Sequence, residues 1–184
     1  PLAKDADKPQ WLEQLAPVEP SPPRPLRPSQ PDEGARMAPA PGTGIGAAST
    51  AMARGRLAHR LFEILPAIAP SQRADAARRM VASQTDVSAE AGGVLIDDVM
   101  KVMAMPALAE LFSERALAEV SISGVVGGDG VAGQIDRLYV GAGQVLVADF
   151  KTGPMPQVTP AAYTRQMALY AALLEQIYPD DDIV

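Results

Sequence analysis

The chain has 184 residues, 47% of them apolar, and a net charge of −6, which is enough for one domain with a core and a tail. It has no cysteine, which excludes a disulfide framework, a thiolate zinc site and a cysteine-held iron–sulfur cluster, and fits a reducing compartment. The start, PLAKDADKPQ, lacks the apolar stretch of a signal peptide, no apolar run reaches membrane-spanning length, and the acidic balance argues against wholesale polyanion binding. The average hides an asymmetry. Six arginines face only Glu63 and Asp75 between Arg54 and Arg79, whereas seven acids face Lys101 and Arg115 between Asp86 and Glu119. A basic patch of this kind can meet a phosphate backbone locally, although charge alone favours ordinary solvated helix faces. A chain that starts without Met and ends at YPDDDIV reads as a piece of a longer protein.

Residues 1–48 read as a proline-rich, largely disordered linker, with 11 of the 18 prolines before residue 43. Proline removes backbone donors and fixes φ, so PVEPSPPRPLRPSQPDEG suits neither a helix nor a central strand. WLEQL, from Trp11 to Leu15, is an apolar island within it. GTGIGAAST lacks the lysine of a phosphate loop and belongs to the linker.

The domain proper spans residues 49–184. Leu57, Leu61, Ile64 and Leu65 share one face of a first helix that Pro66 ends. Ser71 is placed to cap a second helix running to about Ser83. Ser88 caps a third, with Leu95, Val99 and Val102 inward, and a short helix covers Ala107 to Phe112. The period then changes to that of strands: LAEVSISG, VAGQIDRLYV and QVLVADFK, joined by glycine-rich turns as an antiparallel meander. Thr159 and Pro160 offer a cap and a first-turn proline for a last helix ending near Tyr178. The fold class is α/β (α+β), without internal repeats.

Three charged groups sit in these strands. Asp136 alternates onto one face of the second strand, and Asp149 and Lys151 share a face of the third. Such groups are costly among apolar neighbours unless paired. Two carboxylates near a lysine suit a hard cation such as magnesium, with the lysine orienting a water or offsetting phosphate charge. A structural Asp–Lys ion pair serves the spacing equally well. His59, the only histidine, lies away from the apolar face of its helix. It reads either as a surface residue or as a metal ligand. In the last helix Tyr163, Gln166 and Tyr170 line up at i, i+3 and i+7. They form either core with one satisfied amide, or a wall beside the metal site that contacts phosphate or base.

GRLAHRLFE, GQIDRL, DFKTG and QMALY, in that order, resemble the RecB-like nuclease branch of the PD-(D/E)XK superfamily, and more narrowly the C-terminal nuclease domain of AddA-type helicase–nuclease subunits. The resemblance runs from His59 to Tyr178. It implies a restriction-endonuclease-like core, a central mixed sheet flanked by helices. It also implies that His59, Asp136, Asp149 and a backbone carbonyl, that of Phe150, bind the catalytic metal. Lys151 would be the catalytic lysine alongside Asp136 and Asp149, Gln166 and Tyr170 would lie near substrate, and Glu119 would be a supporting acid. Implied cofactors are Mg2+ or Mn2+, and no iron–sulfur cluster. Implied partners are DNA, a helicase part of the same chain and an AddB-like second subunit, in the cytoplasm and away from membranes. Family members continue with a further strand and helix where this chain stops, so a C-terminal part is expected to be missing and a sheet edge bare. The implied activity is exonucleolytic DNA hydrolysis in double-strand break repair, leaving 5′-phosphate and 3′-hydroxyl ends. Rival readings are a nuclease-like module that binds DNA or a partner without cutting, and a hydrolase of another phosphoester.

Overall fold

The computed structural model describes residues 25–28, 45–153 and 155–184. The island from Trp11 to Leu15 and most of the proline-rich segment lie outside them. In order come α1 (Ile45–Ile64), α2 (Pro70–Ala82), α3 (Ala89–Met103), two 3-10 turns (Pro106–Leu108 and Glu110–Phe112), β1 (Leu117–Val126), β2 (Asp129–Gly141), β3 (Gln144–Ala148), α4 (Ala161–Ile177) and β4 (Asp182–Ile183). The sheet order is β1-β2-β3-β4, antiparallel except for the parallel β3–β4 pair. This is the expected mixed sheet flanked by helices.

The helix signals work where they are local. The Ser88 hydroxyl accepts from the Ala91 N–H at 3.2 Å and starts α3. Ser71 and Thr159 do not cap. Pro70 opens α2 as its first residue, so Ser71 already lies inside the first turn, and Pro160 takes the cap position of α4. α1 begins at Ile45, within the stretch assigned to the linker, and hands over at Leu65 to a single 3-10 turn containing Pro66. The short helix expected at Ala107 resolves into the two 3-10 turns, and on α3 it is Ile96 and Met103, with Leu95 and Val99, that are buried.

The meander follows from its turns. Gly127 and Gly128 take φ of 62° and 95°, the doubly left-handed turn that matches the twist of a two-residue hairpin. β4 was not anticipated: Val184 N–H bonds Val145 and Asp182 N–H bonds Gly143, so the outer edge of β3 is partly covered. Part of the proline-rich segment is also docked. Leu26 bridges to β2 on the side away from β1, its N–H donating to Gly130 at 2.7 Å and its carbonyl accepting from Ala132 at 3.0 Å.

Burial forms two cores. One joins α1, α2 and α3 through Leu57, Leu61, Leu65, Ala77, Val99 and Phe112. The other lies between the sheet and α4, with Ile122, Val131, Ile135, Val145, Tyr170 and Leu174. Gly133 lets α4 come close: a Cβ there would stand 2.6 Å from the Tyr170 ring. The functional residues gather where the two cores meet.

Candidate active site

β3 ends at Ala148, so Asp149, Phe150 and Lys151 follow the strand rather than alternate within it. Two contacts hold this segment. The Phe150 N–H donates to Asp136 Oδ2 at 2.6 Å, tying it to β2. The Phe150 ring stacks on Phe62 of α1 at 4.0 Å between centroids, and both lie near Phe112, so the three phenylalanines of the chain form one group. Phe62 is three residues from His59. The same stack that seals the helical core therefore sets the distance from α1 to the acids. Gly55, inside α1, allows a further approach: a Cβ there would be 3.0 Å from the Thr152 hydroxyl.

One half of the site faces outward. His59 Nδ1 lies 3.2 Å from Asp136 Oδ1, and His59, Glu119 and Asp136 each offer a ligand atom within 4.8 Å of the others. β1 and β2 pair at Ala118–Arg137 and at Val120–Ile135 but not at the Glu119–Asp136 step between them. Glu119 has φ of 51°, the only non-glycine residue with positive φ among the described residues. Strain of this kind costs about 1–3 kcal/mol and concentrates at functional sites. Burial, reinforced by the Asp136 charge, raises the Glu119 pKa. The hydrogen bond to Asp136 raises that of His59, against the opposing effect of burial. A cleft of about 430 Å³ opens here, lined by Gly55, Arg56, His59, Arg60, Glu63 and Glu119.

The other half is closed. Asp149 pairs with Lys151 through Oδ2 and accepts from Gln166 Nε2 at 2.7 Å through Oδ1. Gln166 also reaches the Tyr170 hydroxyl at 3.2 Å, which donates to the Gln134 carbonyl at 2.8 Å. Gln166 and Tyr170 are buried, and the amide that a sequence reading leaves in search of a partner finds two. Burial raises the Asp149 pKa, and Lys151 partly offsets it. The Lys151 ammonium also stands 5.3 Å from the centre of the Tyr163 ring.

The structure thus brings His59, Glu119 and Asp136 into one cluster and Asp149, Lys151, Gln166 and Tyr170 into an adjoining one, close enough for Asp149 to sense the charges of Asp136 and His59. Glu119, expected as a supporting acid, offers a carboxylate oxygen within 4.8 Å of ligand atoms of His59 and Asp136. The donor set of one imidazole and two carboxylates, half-buried and electrostatically strained, fits a divalent cation that takes oxygen and nitrogen ligands. The Glu119 backbone and the phenylalanine stack escaped sequence reading. The one signal available for the stack was that only three phenylalanines exist and two of them, Phe62 and Phe150, fall within motifs.

The family model for the PD-(D/E)XK nuclease superfamily matches residues 33–182, and the chain belongs to that superfamily. No curated protein and no solved structure matches the chain significantly. Membership points to nuclease chemistry with divalent metals and to DNA as the polymer bound. Among the described residues no helix is long and apolar enough to cross a membrane.

Proposed function

We propose that this is a magnesium-dependent deoxyribonuclease domain of the RecB-like branch, similar to the nuclease domain of AddA. It works as an exonuclease beside a helicase part of the same chain and an AddB-like subunit in break repair in the cytoplasm. The observation that carries the nuclease reading is the convergence of His59 from α1, Glu119 and Asp136 from the first two strands, and Asp149 and Lys151 from the end of the third. The helicase part, the second subunit and the exonucleolytic mode rest on the likeness of GRLAHRLFE, GQIDRL, DFKTG and QMALY to that branch.

His59, Asp136, Asp149 and the Phe150 carbonyl would hold the metal, with Glu119 beside them. A divalent cation there supplies Lewis acidity toward a phosphate oxygen and lowers the pKa of a water. Lys151 leaves its pairing with Asp149 to meet the negative charge that builds on the phosphate, and helps orient the attacking water. Gln166 donates to Asp149 Oδ1 and so restricts the rotation of that carboxylate, leaving Oδ2 to Lys151. Arg56 and Arg60, on the rim of the cleft, meet the flanking phosphates, which carry no base identity.

The test is cleavage of linear single- and double-stranded DNA with magnesium or manganese. Wild type should cut, EDTA should abolish cutting, and Asp149→Ala or Lys151→Ala should reduce it at least about a thousandfold. Metal binding without turnover, in the whole protein with its motor and partner, would instead identify a non-cleaving binding module.

A further inference from the structure

We propose that Tyr163 is a base-stacking residue, and that it makes an unpaired nucleotide of single-stranded DNA the preferred occupant of this site. The inference rests on the nuclease reading for where the phosphate lies. Tyr163 stands one turn before Gln166 on the stripe of α4 that faces the site, but its fate differs from that of its stripe-mates. Gln166 and Tyr170 are 2% and 0% exposed, whereas Tyr163 is 36% exposed. The stripe therefore runs out of the core and ends in solvent beside Lys151, whose ammonium is 5.3 Å from the ring centre. An aromatic ring next to the lysine that meets the phosphate lies one nucleotide's reach from it, where a base would be.

The surroundings match a nucleic-acid strand. Met155 and Val158, on the loop before α4, are 94% and 81% exposed, apolar surface that the fold leaves uncovered. Arg56 lines the cleft and makes no ion pair with any described residue, and Lys151 stands beside the ring. Cations for the backbone beside an exposed aromatic ring are the two components of a single-strand groove. A base inside a duplex already has both faces stacked, so only an unpaired base can use the ring.

The experiment measures binding of the 184-residue chain to a fluorescent oligonucleotide in EDTA, where no strand is cut. Tyr163→Phe should bind single-stranded DNA like wild type, and Tyr163→Leu about tenfold or more weakly. Blunt duplex should bind equally to all three. A 2-aminopurine in the strand should be quenched by wild type and Tyr163→Phe but not by Tyr163→Leu. Steady-state cleavage in magnesium should show the Leu variant raised in KM. An abasic nucleotide scanned along the strand should weaken wild-type binding at one position, a measurement that needs no variant to fold. The proposal is overturned if Tyr163→Leu binds single strands like wild type, if no abasic position matters, or if the variant loses kcat with binding unchanged, which would make Tyr163 only a positioning residue for Lys151. If the whole protein with its motor and partner does not cut but the binding pattern holds, the nuclease reading fails and the stacking role stands.

Discussion

The two halves of the site are built on opposite principles. Lys151, Asp149, Gln166, Tyr170 and the Gln134 carbonyl form a continuous chain of contacts, mostly buried, in which the amide and the phenol are both satisfied within the protein. His59, Glu119 and Asp136 crowd like donors together at the mouth of a cleft, with a strained backbone at Glu119 and two groups whose pKa values are raised. In the first half Gln166 and Tyr170 are satisfied before any ligand arrives, so their contacts are part of folding stability. In the second half the unfavourable interactions sit on Glu119, whose left-handed backbone and proximity to the Asp136 charge a cation would offset. Substituting Gln166 or Tyr170 should therefore cost stability first, and substituting Glu119 should cost binding.

Gln166→Ala should break this contrast most strongly. It strips Asp149 Oδ1 of its donor in a buried setting, and a hydrogen bond to a charged group is worth about 1.5–3 kcal/mol. Urea unfolding of the metal-free protein should show a loss of about 2 kcal/mol, with cleavage reduced alongside. A variant as stable as wild type would show that the chain of contacts does not hold the fold.

Glu119→Gly should act in the opposite sense. Glycine takes positive φ without a steric penalty, so metal-free stability should rise by up to about 1 kcal/mol, while calorimetry should show weaker binding of magnesium or manganese. Glu119→Gln keeps the backbone strain and loses the charge. It should weaken metal binding with stability little changed, separating the two contributions.

The smallest effect concerns pH. The folded pKa of His59 is raised above its ordinary 6.5 by its bond to Asp136. Its contribution to metal-free stability is thus complete below 6.5 and is lost as pH rises through the folded value. Thermal melts in EDTA should fall as pH rises above 6.5, and His59→Asn should flatten that slope. The raised carboxyl groups act with the same sign, costing metal-free stability as pH rises above their ordinary 3.8 for Asp149 and 4.5 for Glu119.

Legibility followed the range of each interaction. The Ser88 cap, the glycine turn at Gly127 and Gly128 and the burial of Leu57 and Leu61 on α1 are decided within a few residues and read correctly, whereas Ile64 stays half-buried and Leu65 belongs to the 3-10 turn that follows. Ser71 and Thr159 misled because the adjacent prolines take the first-turn and cap positions. β4 was invisible because two residues carry no period, and Leu26 because pairing with β2 depends on an edge more than a hundred residues away.

The sequence by itself determined the order of helices and strands and the identity of the charged residues set into apolar surroundings, because periodicity and desolvation cost are properties of residue types. Only the tertiary structure decided their grouping. It turned Glu119 toward His59 and Asp136 through a left-handed backbone, drew Asp149 into the buried contacts of Gln166 and Tyr170, and left Tyr163 at the surface. The reason is that these outcomes depend on where α1, the sheet and α4 meet, and that is set by the packing of Phe62 on Phe150 and of Tyr170 on Gly133, contacts between residues far apart in the chain.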